Sequence, residues 1–173
     1  VSPHNVLISF DGEVKLIDFG LARAKGRLVQ TRAGVVKGKT PYLSAEQARG
    51  KEIDHRSDLF SLGTCMYEFL TGQRLFLRGN ETDTILAVRR CDVPSLAGLP
   101  IPIPAGLQSI VHRALEADPD HRYPSARAMH DELEEFVYGE GLHVSQTDLA
   151  GWMATLFPTE ARGRMGSVHV DDW

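Results

Sequence analysis

The sequence predicts a mainly α-helical fold that carries one short β-hairpin and is built around a single buried helix. Residues 57–72, SDLFSLGTCMYEFLTG, are apolar over most of a helix circumference. At ~100° per residue, Leu59, Phe60, Leu62, Cys65, Met66, Tyr67, Phe69 and Leu70 span an arc of roughly 220°. Ser57, Ser61, Thr64, Glu68 and Thr71 fill the narrow remainder. Such a helix runs through an interior and is packed on several sides. Asp58 falls inside the apolar arc, where an unpaired carboxylate is costly, so it is expected to accept several backbone N–H bonds from a neighbouring segment. Strand signal is nearly confined to the start of the chain. Val6, Leu7 and Ile8 form one apolar run, Val14, Leu16 and Ile17 another, and Asp11-Gly12 lies between them in a turn-forming position.

From residue 18 to residue 40 the pattern dissolves into Gly20, Gly26, Gly34 and Gly38 among Arg23, Lys25, Arg27, Arg32, Lys37 and Lys39. A long basic loop in a compact domain is usually functional or mobile. Helices follow. Asn80 and Asp83 resemble a capping box opening a helix through Ile85, Leu86 and Val88, which closes at Arg89 and Arg90 where cations suit the dipole. Pro94, Pro100, Pro102 and Pro104 mark an ordered connector. Leu107, Ile110, Val111, Ala114 and Leu115 recur at helical spacing until Asp118-Pro119 stops them. Ser125 caps a helix with Ala126, Met129, Leu133, Phe136 and Val137 inward and Asp131, Glu132, Glu134 and Glu135 outward. Ser145, with Asp148 three residues on, caps a last helix bearing Leu149, Trp152, Met153, Leu156 and Phe157. That stripe either packs on the rest of the fold or presents Trp152 and Phe157 to a partner. Little from residue 159 onward suggests order.

A chain of 173 residues with 42% hydrophobic and 24% charged residues is enough for one globular domain with a proper core. A net charge of −4 argues against a nucleic-acid-binding protein. The sequence has no initiating Met, no signal peptide and no apolar run long enough to span a bilayer, so it reads as a cytoplasmic piece of a longer protein. Cys65 and Cys91 have neither metal spacing nor scaffold density and read as reduced core residues. The 7 histidines are scattered, which argues against zinc.

Several stretches now line up in order with one family. Pro3-His4-Asn5 resembles the end of a catalytic loop H-R-D-x-x-x-x-N, and Asp18-Phe19-Gly20 resembles D-F-G. Residues 42–47, YLSAEQ, resemble the segment ending A-P-E. Asp58 to Gly63 matches a D-x-x-x-x-G helix opening, and residues 118–123 resemble D-P-x-x-R-Y. By these motifs residues 1–140 resemble the C-terminal lobe of a protein kinase, most closely a bacterial Ser/Thr kinase of eukaryotic type. Residues 141–173 are then an extension with one amphipathic helix and a disordered tail.

The resemblance implies ATP and Mg²⁺ as cofactors and a protein substrate. Mg²⁺ takes hard oxygen ligands and keeps several waters, so one carboxylate and one amide oxygen bridged by phosphates are suitable. Asp18 and Asn5 would be that pair, with Phe19 and Gly20 completing the nucleotide-side motif. Glu46 and Arg122 would form a buried ion pair that pins the end of the activation segment to the helical base. Asp58 would grip the backbone of the catalytic loop.

Departures from the family pattern matter as much. Counting back from Asn5 places the catalytic Asp one position before Val1, and the N-lobe, with its Gly-rich loop and phosphate-contacting Lys, would lie further upstream. The piece alone is therefore expected to be inactive. Ser2 stands where the family usually has Lys, and Lys39 stands beside Gly38 where many members have Thr. Lys39 is accordingly a candidate catalytic residue, supplying the cation that Ser2 cannot; the alternative is a solvated lysine on a basic loop. Ala45 replaces the Pro of A-P-E, with a small expected effect. Thr31, ahead of Thr40, is the candidate for activating phosphorylation. A scaffold or pseudokinase remains the competing reading, against which the retention of both Asn5 and Asp18 argues.

Overall fold

The computed structural model describes residues 1–17 and 39–160. They fall into two compact units, one holding residues 1–3 and 39–141, the other residues 4–17 and 142–160. The first is helical. It contains α1 (Ala45–Arg49), α2 (Arg56–Thr71), α3 (Glu81–Arg90), α4 (Ala105–Ala114) and α5 (Ala126–Gly139). The second holds an antiparallel hairpin, β1 (Val6–Ile8) and β2 (Val14–Leu16), together with α6 (Gln146–Leu156).

Helix α2 is the expected central helix and has core on two sides. Phe60 and Tyr67 pack with Leu75, Phe76, Val88, Leu96, Ile103, Val111 and Leu115. Leu59 packs with Ile110, Ala114, Tyr123 and Met129. Burying side chains of this kind contributes about 1.5–3 kcal/mol each. Phe60 and Phe76 stack with centroids 5.9 Å apart. Gly63 lets α2 approach α4, since a Cβ there would lie 2.9 Å from the Ala114 Cβ and 3.1 Å from the Leu115 Cγ.

Two details differ from the sequence expectation. Phe69, part of the apolar arc expected to be packed, is 64% exposed, whereas Ser57, Ser61, Thr64 and Glu68 of the polar remainder are all buried. Ser57, Ser61 and Glu68 are satisfied by a second polar segment, described below, and Thr64 by the Phe60 carbonyl of its own helix, so a polar face can also be an inner face. Asp58 meets the start of the segment it was expected to grip, with one Oδ 3.6 Å from the Val1 nitrogen, but among the described residues its side chain is 73% exposed rather than enclosed.

The caps follow the sequence closely. Asn80 accepts from Asp83 N at 2.8 Å, Ser125 from Ala128 N at 3.1 Å, and Ser145 forms a reciprocal capping box with Asp148. Cys65 is buried and Cys91 half-buried; both are free thiols, pushed up to about 11 chiefly by burial. Cys91 ends α3 with φ 57, a left-handed cap usually taken by Gly. No described helix is long and apolar enough to cross a membrane.

Candidate active site

The hairpin positions the first candidate ligand. Val6 pairs with Leu16, Leu7 with Lys15 and Ile8 with Val14. Ser9 N donates to the Glu13 carbonyl at 2.8 Å and Gly12 turns the chain at φ +77, closing the far end. At the open end Ile17 N donates to the Asn5 carbonyl at 2.9 Å. The register therefore sets Asn5 directly beside the residue that precedes Asp18. The Asn5 side chain is half-buried, and no described residue bonds its amide. Its oxygen is a hard donor of the kind Mg²⁺ takes, so the residue fits the metal that the motifs imply. Asp18, Phe19, Gly20 and Thr31 lie outside the described residues.

Ser2 and Lys39 both belong to the helical unit. Ser2 is 1% exposed, and its hydroxyl has no hydrogen-bond partner among the described residues. Lys39 is exposed, and its carbonyl accepts from Tyr42 N at 3.1 Å, starting a short 3-10 turn over Thr40–Tyr42. Thr40 is 7% exposed and donates to Glu81 at 3.2 Å. A phosphate on Thr40 would face that carboxylate, whose charge repels it.

The segment from Thr40 to Glu46 is held to the helical base by a continuous polar seam. Ser57, Ser61 and Glu68 lie on one face of α2 and meet it in turn. Ser57 Oγ donates to Glu46 Oε1 at 2.5 Å, Ser61 Oγ to the Tyr42 carbonyl at 2.7 Å, and Tyr42 OH to Glu68 Oε2 at 2.7 Å. Arg74 reaches both the Tyr42 hydroxyl and Glu68, 3.5 Å from Oε2 of the latter. Burial, and then the Glu68 carboxylate, push the Tyr42 phenol far up, so it stays protonated and donates. Ser44 opens α1 with a capping box, taking Gln47 N at 3.3 Å and returning its own N–H to Gln47 Oε1 at 2.8 Å. The small Ala45 is fully buried at the first position of that helix. Sequence reasoning missed this seam. The spacing of Ser57, Ser61, Thr64 and Glu68 on one helix face was its signal.

The pair expected between Glu46 and Arg122 is present and bidentate. Nη1 lies 2.9 Å from Oε1 and Nη2 2.7 Å from Oε2. Arg122 also donates to the carbonyls of Glu116 at 2.7 Å, Arg56 at 3.2 Å and Ala117 at 3.3 Å, and its guanidinium carbon sits 4.8 Å from the centre of the Phe60 ring. Burial raises the Glu46 carboxyl, but the hydrogen bonds from Arg122 and Ser57 outweigh it and hold the group at about 2.

The arrangement can be compared with known proteins. The family model described as protein kinase domain matches residues 1–133. The tyrosine-protein kinase MasK of Myxococcus xanthus is 44% identical over 137 residues, covering 79% of this chain and 21% of that protein. The serine/threonine-protein kinase PknL of Mycobacterium tuberculosis is 40% identical over 134 residues, covering 78% and 34%. The solved twitchin kinase region from C. elegans aligns with a TM-score of 0.59 at 28% identity, covering 78% of this chain and 23% of that one. The chain thus spans between about a fifth and a third of the length of these curated relatives. With the motifs in order, the hairpin register and the Glu46–Arg122 anchor in place, this chain belongs to the protein kinase domain family.

Proposed function

We propose that this chain forms the C-terminal part of an ATP-dependent protein kinase domain that phosphorylates serine or threonine. The observation that carries the reading is the Ile17–Asn5 backbone bond, which brings the catalytic-loop amide beside the start of the D-F-G motif. Asn5 and Asp18 would hold Mg²⁺, and the ion, when bound, neutralises charge on the transferred phosphoryl group. The segment from Thr40 to Glu46, anchored through Glu46 and Tyr42, presents the acceptor side chain. Lys39 supplies the positive charge that the buried, neutral Ser2 lacks. In the full-length protein with ATP and Mg²⁺, Asp18→Ala and Asn5→Ala should each abolish phosphoryl transfer to a protein substrate. Retained transfer in either would overturn the ligand assignment.

The acceptor is tested separately, because one relative bears the name tyrosine-protein kinase. Ser2-Pro3-His4 lacks the arginine and alanine that tyrosine kinases carry before this Asn, which favours serine or threonine. Phosphoamino-acid analysis of the product decides it, and phosphotyrosine alone would replace the Ser/Thr reading. The pseudokinase reading has its own discriminator in the residue that precedes Val1: any residue other than Asp there favours a scaffold.

A further inference from the structure

The stretch with two open outcomes in the sequence, residues 145–157, packs against the hairpin inside its own unit. Gln146, the first residue of α6, donates from Nε2 to the Asp11 carbonyl at 2.9 Å across 135 residues of sequence. The backbone comes closer still. A Cβ on Gly12 would lie 2.0 Å from the Gln146 carbonyl oxygen and 3.0 Å from Ala150 N, so only glycine admits the helix at this turn. Beyond the other end of α6, the Phe157 ring meets Phe10 edge-on, with centroids 6.3 Å apart and planes at 90°.

These contacts supply what the hairpin lacks. A lone two-stranded hairpin is marginal in water, and here Leu7, Val14 and Leu16 are 49%, 57% and 45% exposed. The bonds that close the turn and the bond that sets Asn5 beside Ile17 are opposite ends of the same short ribbon. Fraying at the turn therefore loosens the open end, and a ligand held loosely binds more weakly. Trp152 and Leu156 remain 56% and 49% exposed, so part of the apolar surface of α6 stays outside this contact.

We propose that the C-terminal extension is a clasp on the hairpin, with Gln146 and Phe157 as positioning residues for Asn5. The clasp rests on geometry alone; its effect on metal affinity rests on the reading of Asn5 and Asp18 as ligands. The test uses the full-length protein and the double variant Gln146→Ala/Phe157→Ala, whose side chains lie at the surface. Hydrogen exchange is followed in residues 6–16, and Mn²⁺ is titrated in the presence of ADP by electron paramagnetic resonance. Exchange in the hairpin should accelerate by about tenfold with α2 unchanged, and the Mn²⁺ midpoint should rise several-fold. Unchanged hairpin exchange overturns the clasp. Faster exchange with an unchanged Mn²⁺ midpoint overturns its coupling to the metal ligands. Wild-type protein that binds no Mn²⁺ sinks the ligand reading instead, while exchange still decides whether the clasp exists.

Discussion

At Glu46 burial and ion pairing oppose each other, and pairing wins. The carboxyl sits at about 2 against an ordinary 4.5, which corresponds to a contribution on the order of 3 kcal/mol. Because the folded value is depressed, that contribution is complete above pH 4.5 and is lost as the pH falls toward 2. Arg122→Ala should cost about 3 kcal/mol at neutral pH by leaving a buried carboxylate unpaired. In that variant the lowering by Arg122 is gone and only the hydrogen bonds from Ser57, Ser44 and the backbone oppose burial, so Glu46 rises from its value in the parent and the deficit should shrink as the pH is lowered. Urea unfolding at several pH values checks both statements; a neutral-pH loss under about half a kcal/mol would remove the claim. Lys39→Ala should lower kcat far more than it raises the substrate KM, and a pure KM effect would reduce Lys39 to a substrate contact. The ion pair was legible in the sequence because an Arg and a Glu at motif positions suit bidentate anchoring. Asp58 was legible in part: its carboxylate does lie against the Val1 nitrogen, but periodicity gives the angle of a side chain on its helix and not how far it is enclosed.

For the elements, the same contrast appears along α2. Its existence and centrality follow from apolar breadth, yet the buried polar stripe shows that breadth does not tell which side is wet. The answer depends on the seam with Tyr42 and Glu46, and that seam exists only once the segment from Thr40 to Glu46 is laid along the helix. Hairpin and helix caps were legible because their signals are local: a turn dipeptide, or a capping side chain with its partner three residues on. The crossing of α2 and α4 is tighter than propensity would choose. Gly63→Ala gains about 1 kcal/mol of helix propensity but brings a methyl to 2.9 Å from the Ala114 Cβ, an overpacking that costs about 1–3 kcal/mol. The variant should be less stable than the parent in thermal and urea unfolding. A raised melting temperature would show that α4 can yield.

Across the whole molecule, the order of motifs made the family legible, since each motif alone is short and together they are not. The docked extension was only half legible, because an amphipathic stripe does not name the surface it meets. On the proposed reading of the full-length protein as a kinase, Thr31 should be the modified hydroxyl of the segment. Thr40, buried against Glu81, should stay unmodified. Mass spectrometry of the active protein reads this directly, and phosphate on Thr40 alone would reverse the assignment. The turn between β1 and β2 has a consequence of another kind. Its residue count decides which backbone faces Asn5. An inserted or deleted residue there would slip the register by one and turn the following strand over, undoing the pairing of Ile17 with Asn5 on which the proposed metal site depends. Related sequences should therefore vary in letters across this turn while keeping its length.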